Sequence, residues 1–183
     1  MDDKTALVVI DPQVGTLETP GLPPVPEGER PLENIEGLIR QARDAGTIVV
    51  HVRHGEGPGE PLGRGTDGWP IHPRVAPKVG EPVVDKETPD SFLRTTLGEE
   101  LEAREIGRLV LAGMQTEYCV DTTCRGAFGL GYKVTLAADA HGTFDGENLT
   151  AAQVVAHHTE VMGNGFAEVV PAAEISFGEP VGS

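Results

Sequence analysis

Basic residues are scarce in this chain. Lys and Arg number 14 against 29 Asp and Glu in 183 residues, a formal net charge of -15. A surface of that sign repels phosphate backbones and anionic lipid, so no nucleic-acid and no membrane partner is expected. Cysteine is nearly absent: Cys119 and Cys124 are the only two. Both fall on one expected helix at a spacing that points them to different faces. They are not expected to form a bridge, which suits a reducing compartment. No apolar run is long enough to span a bilayer, and Met1-Asp2-Asp3-Lys4 lacks the basic start of a secretory leader. A cytoplasmic location is therefore expected. No internal repeat is evident. The length suits one domain over residues 1–183 with a full core.

What is present alternates. Thr5–Ile10 is a near-continuous apolar run ending in Asp11-Pro12, as expected of a strand covered on both faces. Residues 12–31, rich in Pro, Gly and Glu, read as a loop. Pro31–Ala45 reads as a helix with Leu32, Ile35, Leu38, Ile39 and Ala42 on one stripe and Gly46 as its stop. Thr47–Arg53 is a β-branched strand. A second irregular stretch, 54–82, holds Trp69, Ile71 and His72. Pro82–Lys86 is a short strand. Asp90 or Ser91 then caps an expected helix through Phe92, Leu93, Leu97 and Leu101. Leu109–Ala112 is a buried strand. After it Val120, Cys124, Ala127 and Phe128 recur at helical spacing, with Thr116 as the expected N-cap. Lys133–Ala138 is a strand, Asn148–Met162 a helix and Phe166–Val170 a last strand. Residues 176–183 read as a loose tail. The pattern predicts an α/β fold with a mostly parallel sheet of about six strands, covered on both faces.

Open α/β sheets carry their sites beyond the C-terminal ends of the strands. Asp11, Lys86 and Cys119 each follow a different apolar strand. A carboxylate there takes the proton of a thiol, a lysine holds the thiolate and orients the carboxylate, and the thiolate attacks a carbonyl. Cys119 sits early in its helix, near unpaired N–H groups and the positive end of the helix dipole, which favours thiolate over thiol. Backbone N–H groups around 115–119 suit an oxyanion. The plainer alternative is a strand-end cap, a surface charge and a small core residue.

The residues Val8-Val9-Ile10-Asp11-Pro12-Gln13, Val52-Arg53-His54, Val84-Asp85-Lys86 with Phe92, Gly113-Met114-Gln115-Thr116-Glu117-Tyr118-Cys119-Val120, Gly131-Tyr132 and Asp139-Ala140 resemble those of the isochorismatase-like cysteine hydrolases. The likeness runs from Ala6 to about Val170. It implies a three-layer α/β/α sandwich, a homodimer or larger homo-oligomer, and Asp11, Lys86 and Cys119 as the catalytic three. It also implies a cis peptide at Met114–Gln115, with the N–H groups of Gln115 and Cys119 turned to one oxyanion.

Three departures stand out. Thr16 occupies a place where relatives carry an aromatic. Asp90, followed by Ser91, stands where they often have Ser. The metal-binding Asp-x-His of nicotinamidases is replaced by His51-Val52-Arg53-His54, without the aspartate. Two imidazoles without a third ligand make a poor zinc site, so no metal and no cofactor are expected. His157-His158 is expected to face solvent or a subunit contact. Gln13, His54, Trp69, His72 and Tyr118 are the expected substrate contacts, Trp69 by stacking on an aromatic or by lying under a cation. The expected reaction is hydrolysis of a small-molecule C–N bond (amide, lactam or carbamoyl) through a cysteine thioester, as in the streptothricin hydrolases among these relatives. Vinyl-ether hydrolysis of isochorismate by protonation is one alternative. A non-catalytic binding module on the same fold is the other.

Overall fold

The computed structural model describes residues 4–18 and 29–178. Six strands form one sheet: β1 (Lys4–Ile10), β2 (Ile48–His54), β3 (Val83–Lys86), β4 (Ile106–Met114), β5 (Lys133–Gly142) and β6 (Glu168–Val170). Their spatial order is β3-β2-β1-β4-β5-β6, and every neighbouring pair is parallel. The chain builds outward from β1 to β3, then returns to the other side of β1 for β4. The order therefore reverses between β1 and β4, where two successive connections leave in opposite directions and open a crevice.

Successive residues of β1 point to opposite faces, and both faces are dry. Ala6, Val8 and Ile10 join one core with Val50, Leu111, Val120, Cys124 and Met162; Leu7 and Val9 join the other. That second core is closed by α2 (Glu29–Asp44), which buries the expected stripe of Leu32, Ile35, Leu38, Ile39 and Ala42. Burying each of the four Leu and Ile side chains is worth roughly 1.5–3 kcal/mol. Gly46, at φ 70°, ends this helix: its N–H meets the carbonyl of Arg43, and the Thr47 N–H meets that of Ala42. The opposite face is covered by α3 (Leu97–Glu102), α4 (Asp121–Gly129) and α5 (Ala151–Gly165). The short α1 (Val14–Leu17) follows β1. The layering is α/β/α, as expected.

Several elements differ from the reading of the sequence. The helix expected from Asp90 is only α3. Asp90 Oδ1 accepts from the Phe92 N–H at 2.9 Å, but the backbone does not continue as a helix. Ser91 is tied to Thr123 on α4, and Arg94 has φ 58°, outside the helical region. Phe92 leaves the expected stripe and stacks on Tyr132. The last helix starts later than expected, because Thr150 and Gln153 form a reciprocal capping box; Leu149 lies outside it, exposed. Phe128 is half exposed and meets Phe166 edge-on instead of joining the core face of α4. The expected loose tail is loose neither at Phe177, which is buried, nor at its carbonyl, which accepts from Thr47; residues 179–183 lie outside the described part, as do 19–28 of the first loop.

Candidate active site

β1 and β4 approach so closely at their C-terminal ends that Gly113 is obligatory. A Cβ there would lie 2.0 Å from the Ile10 carbonyl oxygen, and its φ of 137° excludes other residues. Asp11 follows Ile10 in the left-handed region at φ 50°. It is held there by its N–H on the Val52 carbonyl (3.0 Å) and its carbonyl on the Gln13 N–H (2.8 Å). Such backbone persists where its surroundings over-determine it. β4 ends in a cis peptide between Met114 and Gln115. Residues 116–120 then make a wide π-type turn, with the Val120 N–H on the Gln115 carbonyl at 3.1 Å, and α4 continues it. Cys119 is carried on this turn.

Thr116 does not cap it. Its hydroxyl instead lies 2.9 Å from Nδ1 of buried His141 on β5, and His141 Nε2 lies 3.3 Å from the Thr159 hydroxyl on α5. The Thr159 hydroxyl already donates to the Val155 carbonyl, so it accepts from Nε2–H. Nδ1 is left to accept from Thr116. Burial holds the His141 pKa down to about 4, so the imidazole is neutral and fixed in one tautomer. The sequence carries no periodic or motif signal for this strut.

Lys86, at the end of β3, reaches into the crevice and is almost completely buried. Its ammonium lies 2.7 Å from Asp11 Oδ2, 3.0 Å from the Thr88 carbonyl, 3.1 Å from Cys119 Sγ and 3.2 Å from His54 Nδ1. Three hydrogens thus serve four acceptors. Burial raises the Asp11 pKa despite the pull of Lys86. Burial, with the Asp11 charge beside it, pushes the Cys119 thiol up to about 12 against the pull of Lys86. The thiolate expected from the helix position is therefore a thiol at rest, because desolvation outweighs the dipole. The same burial makes Asp11 a stronger base than a surface carboxylate.

Asp11, His54 and Cys119 place one ligand-type atom each within 4.8 Å of one another, a grouping that can hold a metal ion. Lys86 Nζ sits within 2.7–3.2 Å of atoms from all three, so a cation already occupies the focus. The other histidine considered as a ligand, His51, is fully buried and tied to Glu81 at 3.0 Å. The residues do not fit a nicotinamidase-type metal site.

A cavity of about 240 Å³ opens over the trio. Asp11, His54, Gln115, Tyr118 and Cys119 line it, as expected; Thr16, Glu56, Leu62, Pro89 and Met114 complete it. Only Thr16 and Met114 carried any signal, one as a departure from the family pattern and the other as the first residue of the implied cis peptide. Three expected substrate contacts fall elsewhere. Gln13 is fully buried: its Nε2 donates to the carbonyls of His54 (2.9 Å) and Trp69 (2.7 Å), and its Oε1 accepts from the His54 N–H (2.8 Å). It clamps the second loop to the first. Trp69 has the Arg53 guanidinium 3.6 Å from its ring centroid, so that face is not free to stack on a substrate. His72 bonds Glu18 and accepts the Arg74 N–H, capping a 3₁₀ turn. His158 faces Asp121 at 3.5 Å and stands edge-on to His157.

Among the described residues no helix is long and apolar enough to cross a membrane. Residues 5–174 match the model of the isochorismatase domain. A streptothricin hydrolase of Streptomyces noursei is 41% identical over 140 residues, 76% of this chain and 50% of that protein. The chain thus spans about half the length of that relative. A maleamate amidohydrolase of Pseudomonas putida is 30% identical over 155 residues, 76% of this chain and 72% of that protein. Among solved structures, a putative isochorismatase hydrolase from Oleispira antarctica superposes with a TM-score of 0.89 at 36% identity, covering 95% of this chain and 96% of that one.

Proposed function

The chain belongs to the isochorismatase family of hydrolases, and from that premise we propose that it hydrolyses a small-molecule amide or lactam through a thioester on Cys119. One observation carries the reading: a buried ammonium, Lys86, touches both a carboxylate and a thiol at the floor of a cavity. Amidohydrolases and streptothricin hydrolases among the relatives support the same bond type.

The cycle needs only groups already present. Asp11, its basicity raised by burial, takes the Cys119 proton as the sulfur attacks the carbonyl carbon. Lys86 offsets the charge as it moves from Asp11 to sulfur. The N–H groups of Gln115 and Cys119 receive the oxyanion. Collapse breaks the C–N bond, and the amine leaves with the proton from Asp11. Water then attacks the thioester, giving its proton to Asp11. The acid departs, and the proton returns to the Cys119 sulfur. A resting thiol suits this sequence, because sulfur becomes anionic only when a carbonyl is there to receive it.

Intact-protein mass spectrometry during turnover of a panel of amides and lactams, streptothricin included, tests the proposal. A transient acyl adduct on Cys119, absent in Cys119→Ala, is expected. Undiminished turnover by Cys119→Ala overturns it.

A further inference from the structure

We infer that Glu56 selects for substrates carrying a cationic nitrogen on the part of the molecule remote from the scissile bond, an inference that rests on the amidase reading for the bond but not for the charge. Among the described residues, the cavity lining holds two carboxylates and no ammonium or guanidinium. One carboxylate, Asp11, is neutralised by Lys86 from below. The other, Glu56, is exposed on the wall of the mouth and has no ion pair among the described residues.

Glu56 is also fixed in place. Its Oε2 accepts the Leu62 N–H at 2.9 Å, and its own N–H reaches the Leu62 carbonyl at 3.2 Å. These bonds make the turn 56–62 rigid and leave Oε1 uncommitted. The same turn is locked over the site: a Cβ on Gly68 would meet the Pro61 oxygen at 2.5 Å, and the Gly15 N–H bonds the Gly68 carbonyl at 2.8 Å. A second uncommitted polar atom lies on the cavity wall. Thr16 is 7% exposed, and its hydroxyl has no partner among the described residues. A buried hydroxyl without a partner calls for a ligand atom. Glu56 is an acceptor only, and the Thr16 hydroxyl can accept beside it or donate to a neutral part of the substrate, whereas a substrate carboxylate would meet Glu56 with no ammonium or guanidinium in the described lining to balance it. An ammonium or guanidinium group instead gains a preorganised, charge-assisted bond.

The test compares alkylation of Cys119 by three haloacetyl reagents of matched size, with cationic, neutral and anionic tails, at low ionic strength. One unit charge at this range and partial exposure is expected to favour the cationic reagent over the anionic one by about tenfold. Glu56→Gln should collapse the cationic-to-anionic ratio to within about twofold, whereas Glu60→Gln, on the same loop but off the cavity, should keep it. A wild-type ratio near one, or a ratio that falls equally in both variants, overturns the inference. The latter would assign the preference to net charge alone. Affinities of unreactive acetamides with the same three tails, from ligand-detected NMR, give the order a second way. A thiol silent to all three reagents is the behaviour of a resting thiol and leaves the thioester reading to the mass-spectrometric adduct, while the NMR order still decides the role of Glu56.

Discussion

Acidification should loosen this protein through one histidine. His141 is buried, with both ring nitrogens engaged, and its pKa is about 4 against an ordinary 6.5. The unfolded chain binds this proton first, so the contribution of His141 to stability falls as pH drops below 6.5 and goes on falling until the folded pKa is passed. The full effect is about 3 kcal/mol. The chain has a pI near 4.7, so measurement is best kept above that value. Between pH 7.5 and about 5.2 the linkage relation gives a loss of about 2 kcal/mol from this residue. Urea unfolding at a series of pH values reads it, with His141→Gln as the reference. Glutamine keeps a donor and an acceptor but gains no proton. The variant is expected to be less stable at pH 7.5, since it cannot match both hydroxyls, yet to lose about 2 kcal/mol less on acidification. Titrating groups that do not interact with His141 cancel in the difference; Asp139 and His158, whose charges it feels, are the exceptions. Parallel curves for the two proteins would refute the argument.

Lys86→Met leaves Asp11 buried without its partner; unfolding should be easier by about 3–5 kcal/mol, and Asp11→Asn in the same chain should recover part of that loss in urea titrations. Gly113→Ala places a Cβ against the Ile10 carbonyl, so soluble expression and thermal melting should show a loss of more than about 3 kcal/mol. Gln13→Leu abandons three hydrogen bonds to the backbone of His54 and Trp69. A cost of about 2–4 kcal/mol is expected, with proteolytic nicking first appearing in residues 55–70.

The strands were legible because a parallel sheet covered on both faces writes itself as uninterrupted apolar runs, and the ends of three such runs located Asp11, Lys86 and Cys119. The helix expected after Asp90 failed for a reason local to the backbone: Arg94 turns left-handed, which no apolar spacing reveals. Substrate contacts were the least legible. Gln13, Trp69 and His72 sit on irregular backbone, where side-chain direction has no period. Gln13 and His72 tie one loop to another there, and Trp69 lies against Arg53 at the end of β2. Glu56 and Leu62 reach the cavity from the same kind of backbone and were silent for the same reason. The thiol was misjudged because a helix position is visible in sequence, whereas the depth of its burial is not.

The ammonium of Lys86 stands where carboxylate, imidazole and thiol converge, as an ion would in a metalloenzyme. That charge is covalently part of the chain. It arrives with translation, cannot be exchanged for a wrong ion, and needs no loading step after folding. The positive charge that Lys86 supplies is thus fixed by the sequence itself.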